Sequence, residues 1–145
     1  MPPSATVATS SDTTPTSSQS YTVAPANTLS NISVNNTSPS NGAGARTQYV
    51  IGFATTATGG LSSTAQSTVD VTFPAGTTFA NYGGGGVFDG TTRIGSCPTP
   101  NTTMRQTTCS IFGAIGASTT ARLEFNGITN PATPGSTYAL TVATS

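Results

Sequence analysis

From Leu29 onward, short runs of alternating hydrophobic and polar residues are separated by Gly, Pro and Asn clusters. In TQYVIGFAT, Tyr49, Ile51 and Phe53 share one face; in STVDVTF, Val69, Val71 and Phe73 oppose Asp70 and Thr72. TTARLEF sets Ala121, Leu123 and Phe125 against Arg122 and Glu124, and TYALTV repeats the pattern with Tyr138, Leu140 and Val142. Ile32 and Val34 do the same over a shorter run. A period of two is the signature of half-buried strands, since successive side chains point to opposite faces of a sheet. Pro74-Ala75-Gly76, Gly83 to Gly86, Asn126-Gly127 and Asn130-Pro131 separate these runs and read as turns or loops.

Helical periodicity is missing, so about seven short strands predict an all-β fold, an antiparallel sandwich with Greek-key connections over residues 29–145. The stretch from Phe79 to Ser96 is harder to place because the run Gly83 to Gly86 interrupts it; an irregular excursion carrying Tyr82, Phe88 and Arg93 is expected, followed by a hairpin from Cys97 to Cys109. Residues 1–28 differ in kind: only Val7, Tyr21 and Val23 offer anything to bury, and the composition is that of a linker or disordered segment. Extended pieces such as Ala5 to Ser10 or Ser20 to Ala24 have three readings: a strand added to an open edge of their own domain, a strand donated to a neighbouring copy to build a filament, or a loose tail.

Composition narrows the chemistry. The chain has 145 residues, of which 34% are hydrophobic and 6% charged, and roughly a third are Ser or Thr, far above ordinary usage. All four basic residues are arginines (Arg46, Arg93, Arg105, Arg122), and there is no His. Schiff-base lysines, phosphate-loop lysines, His-based triads and His-containing zinc sites are thereby excluded, and the many Ser hydroxyls have no base to activate them. The four carboxylates are Asp12, Asp70, Asp89 and Glu124. Two of them fall on outward strand positions and one in the linker, which does not make a facing pair for glycoside hydrolysis. Only Asp89 sits in a loop worth considering for calcium, and it stands alone. No catalytic residue, metal site or cofactor is expected. A net charge of zero gives no footprint for nucleic acid, and no apolar run approaches a membrane span, so neither nucleic-acid binding nor direct membrane insertion is expected. Met1-Pro2-Pro3-Ser4 opens no signal peptide.

Cys97 and Cys109 flank a polar stretch whose spacing matches neither C-x-x-C nor a zinc pattern. A structural disulfide is the favoured reading over two free thiols, and it would place the chain in an oxidising compartment, extracellular or at a cell surface. Tyr82 and Phe88 flank the glycine run, with Arg93 and Arg105 nearby in sequence. They are the best candidates for contact with a glycan or a protein, and the competing reading is that both rings plug the end of the sandwich. Sequons occur at Asn31, Asn35, Asn36 and Asn101.

One pentapeptide occurs twice. Thr6-Val7-Ala8-Thr9-Ser10 recurs as Thr141-Val142-Ala143-Thr144-Ser145, as though the last strand of the module were written at both ends. A tandem array, with neighbouring repeats or copies as partners, would produce this echo; compositional bias in a Ser/Thr-rich chain is the alternative.

The strings AGARTQYVIGF, VTFPAGTTF and FNGITNPATPGSTYALTVATS resemble the Ig-like repeat modules of large bacterial cell-surface proteins. The resemblance covers roughly residues 29–145. It implies an Ig-like sandwich acting as a non-enzymatic spacer or adhesive unit, with a carbohydrate-binding module or a filament subunit as alternatives. The glycine run and the two cysteines depart from a plain repeat, and they are expected to cluster at one end of the sandwich.

Overall fold

The computed structural model describes residues 2–135 and 137–145. The protein is all-β, and among the described residues there is no helix. Two short strands near the N-terminus, β1 (Thr6–Val7) and β2 (Thr16–Ser17), pair only with each other. The domain proper contains β3 (Ser30–Asn35), β4 (Arg46–Ala54), β5 (Leu61–Ser62), β6 (Thr68–Thr72), β7 (Gly84–Asp89), β8 (Thr92–Cys97), β9 (Gln106–Ile111), β10 (Ala114–Ile115), β11 (Thr120–Thr129) and β12 (Thr141–Thr144).

Eight of these form one antiparallel sheet in the order β12-β6-β9-β8-β7-β11-β4-β3. Strands β7, β8 and β9 follow one another as a meander, and β6 returns beside β9; this is the Greek-key arrangement. The sheet folds over on itself as a sandwich. Phe73, just past β6, meets Phe125 of β11 and Tyr49 of β4 edge-on, with ring centroids 5.2 and 5.8 Å apart, and also Phe79 at 5.3 Å. Such edge-to-face contacts are the favoured geometry for aromatic quadrupoles and add to the hydrophobic gain of burying each ring, about 1.5–3 kcal/mol apiece. The alternation in β4, β6 and β11 is realised as expected: Tyr49, Ile51, Phe53, Val69, Val71, Phe73, Ala121, Leu123 and Phe125 are all buried. Strands β5 and β10 form a separate pair that closes one end of the core with Leu61 and Ile115.

Four expectations are corrected. The glycine run is not a loop, because Gly84 to Gly86 open β7, near the middle of the main sheet. Asn126-Gly127 is a bulge within β11, where the register shifts between Phe125 and Ile128 and Gly127 takes φ +76°, a conformation that an L side chain rarely adopts. The strand expected over TYALTV is confined to Thr141–Thr144, with Tyr138 exposed before it. Strand β3 is not half-buried, since all its residues are exposed.

The last correction has a geometric cause. Val34 pairs with Ile51 and Val142 with Val71, so both valines belong to the inner face. Ile51 and Val71 are fully covered, yet Val34 is 47% exposed and Val142 is only partly buried. Strands β3 and β12 are the two edges of the folded sheet, and they do not pair with each other. The sandwich therefore has an open seam along which inner-face side chains meet solvent.

Candidate functional site

The seam widens at each end. At one end lies a groove of about 520 Å³ whose lining includes Val34, Asn36, Tyr49, Asn130, Tyr138 and Leu140. At the other lies a groove of about 370 Å³ between residues 24–29, the Thr56–Gly59 turn, and Thr144 with Ser145.

The larger groove is organised by Asn130, which directly follows β11 and is buried. Its side-chain oxygen accepts from the Tyr49 hydroxyl at 2.7 Å and from Asn36 Nδ2 at 3.2 Å. Its Nδ2 donates to the Gly42 carbonyl at 3.0 Å, and its backbone N–H donates to Ala45. With a longer donation to the Ser40 carbonyl at 3.4 Å, the side-chain amide alone serves four partners, since it carries two donors and two acceptor lone pairs. The result ties β4, the end of β3 and the 38–45 loop together beneath the groove floor. Burial raises the pKa of Tyr49, while the Asn36 side-chain amide, a donor beside it, acts the other way. The hydroxyl thus remains a neutral donor.

On the wall, Tyr138 is 43% exposed, its hydroxyl donating to the Thr133 carbonyl at 2.7 Å. No lining residue is charged, and Asn36, Asn41 and Thr133 present polar groups beside Val34, Leu140 and three prolines. An amphipathic, uncharged groove with an exposed aromatic ring suits a neutral ligand that offers hydroxyls and an apolar face. In the sequence Asn130 was legible only as a turn residue before Pro131; its role as a hub depends on segments distant in the chain.

The residues singled out from the sequence lie elsewhere. Cys97 and Cys109 form a disulfide between neighbouring strands. Gly95 pairs with Ile111 and Ser96 with Ser110, and continuing that register sets the two cysteines face to face, Cα atoms 4.2 Å apart, in the core. Tyr82 is half-buried against the core, and its hydroxyl donates to the Cys97 carbonyl. Burial pushes that hydroxyl up to about 12, with the Arg93 guanidinium acting in the opposite sense.

Phe88 sits at the far end of β7 from Tyr82, with the Arg122 guanidinium carbon 4.8 Å from its ring centroid. Arg122 also pairs with Glu124 at 2.8 Å and donates to the Gly90 carbonyl. Arg93 lies across the glycine run, donating to the Gly85 carbonyl at 2.8 Å and the Gly95 carbonyl at 3.1 Å. Tyr82, Phe88 and Arg93 thus frame strand β7 rather than a common loop, and each engages its own sheet. The glycines make this possible. A Cβ on Gly85 would lie 2.5 Å from the Tyr82 hydroxyl and 2.8 Å from the Glu124 carbonyl, and one on Gly86 would lie 2.7 Å from Arg93 Nε.

Among the described residues, no three His, Cys, Asp or Glu side chains gather as a metal site, and no helix is long and apolar enough to cross a membrane. Comparison with protein-family models, with curated proteins and with solved structures finds no match to this chain.

Proposed function

We propose that this domain is a non-enzymatic, extracellular structural module that serves as an adhesive unit of a surface protein, with the 520 Å³ groove as its contact face. One observation carries the choice of adhesion over simple spacing. Residues 24–29, which lead into β3, and Ser145, which follows β12, line the same small groove at one end of the seam. The start of β3 and the end of β12 therefore lie together at one end of the seam, and the larger groove lies at the opposite end. A spacer in a rod is better served by attachments at opposite ends.

The disulfide supports an oxidising compartment. The uncharged lining of the groove favours a glycan over an acidic or basic ligand. A glycan array probed with the purified domain tests this directly: a hit is expected that is lost in Tyr138→Ala and retained in Phe88→Ala. No hit, or one equally lost in Phe88→Ala, would overturn the assignment of the groove.

A further inference from the structure

The pentapeptide that occurs twice has two different structures. As residues 141–145 it is the edge strand β12: Thr141, Val142, Ala143 and Thr144 pair with Thr72, Val71, Asp70 and Val69, and Ser145 Oγ accepts the Thr68 N–H at 2.9 Å. As residues 6–10 it lies in the open. Thr6 and Val7 pair with Ser17 and Thr16, Thr9 caps the turn by accepting the Asp12 N–H, and Val7 is 68% exposed. A hairpin with two paired residues per strand is marginal in water, so the first copy is weakly held. The second copy is held by backbone bonds along one side only, at an edge beside the open seam.

We propose that residues Thr6–Ser10 are a second occupant of the β12 position, able to displace residues 141–145 from β6 of the same chain in the same register, Thr6 to Thr72 through Thr9 to Val69. Sequence identity supplies every backbone bond and side chain that the resident strand uses. Connectivity permits the exchange as well. With Ser10 in the place of Ser145, the chain must return to Leu29, and Ser145 and Leu29 already line one small groove. Residues 11–28 would close that gap as a loop many times longer than the span requires, and Asn27 is already held there by its bond to Thr58. Being in the same chain, the first copy acts at high effective concentration.

What keeps the resident strand in place is the residue before it. Leu140 packs against the core, whereas Ala5 precedes the first copy. The exchanged form is thus the minor one, and releasing residues 141–145 from β6 also loosens Tyr138, Ala139 and Leu140, which line the larger groove just before them. Exchange would then couple the N-terminal segment to the proposed contact face. The strand exchange itself does not depend on what that face binds.

The test traps the exchanged pairing in the full chain. Ala143 faces Asp70 across the resident pair, so Ala143→Cys with Asp70→Cys, oxidised by oxidised glutathione, serves as the control that a bond forms at this position. Ala8→Cys with Asp70→Cys is the probe. A bond within one chain between positions 8 and 70, mapped by peptide mass spectrometry, is expected to accumulate slowly and to form several-fold faster when Leu140→Ala is added. The out-of-register pair Thr9→Cys with Asp70→Cys should lag well behind. A control that closes while the probe stays open would overturn the proposal, as would a probe bond found only between two chains or a rate unmoved by Leu140→Ala.

Discussion

The Tyr82 hydroxyl donates to the Cys97 carbonyl oxygen at 2.9 Å, joining the segment that enters β7 to the strand that carries the disulfide. A half-buried phenol held this way is stable only while neutral. Its folded pKa is about 12 against an ordinary value of 10.0, so its contribution is complete below pH 10 and is lost as pH rises toward 12. Stability to denaturant, followed from pH 9 to pH 12, should fall across that window. Tyr82→Phe should be weaker by about 1 kcal/mol at neutral pH through the lost hydrogen bond and show a shallower alkaline decline. An unchanged decline would assign it to other groups.

Removing the disulfide should be costly because it joins β8 and β9 inside the core. Cys97→Ala with Cys109→Ala is expected to lose about 3 kcal/mol, from the freed loop in the unfolded chain together with lost packing. Denaturation of the oxidised and the substituted protein measures it, and a loss below about 1 kcal/mol would contradict the account.

The glycines of β7 should differ from one another. At Gly85 an added methyl group meets the Glu124 backbone and the Phe125 ring as well as Tyr82, whereas at Gly86 the nearest obstacle is the Arg93 side chain, which can move aside only by giving up its bonds to the Gly85 and Gly95 carbonyls. Gly85→Ala should therefore destabilise by about 2–3 kcal/mol and Gly86→Ala by about 1–2 kcal/mol. Thermal melts of the two variants settle the order.

Asn130→Ala should cost about 2–3 kcal/mol, since it strands the buried Tyr49 hydroxyl and releases the Gly42 carbonyl. Adding Tyr49→Phe should recover part of that loss, because the stranded donor is then gone. A double-mutant cycle showing strict additivity would break the proposed hub.

The strand content, the sandwich core and the disulfide were all legible in the chain, because they depend on local alternation and on the count and spacing of two cysteines. Tyr49, Ile51, Phe53, Val69, Val71 and Phe125 follow a period of two, and burying one face of such a strand leaves little freedom in which side chains turn inward. What local pattern cannot express is which strand lies beside which. Gly84 to Gly86 look like a loop in isolation, and only the positive φ of Gly84, the approach of Tyr82 and Phe125 to Gly85 and that of Arg93 to Gly86 show a strand built for glycine. Val34 and Val142 alternate as faithfully as the core valines, yet they remain partly in solvent because their strands fall at the two unpaired edges. The groove between those edges, the Asn130 hub beneath it and the unequal fates of two identical pentapeptides arise from contacts between residues far apart in sequence, and those contacts exist only once the sheet has folded over on itself.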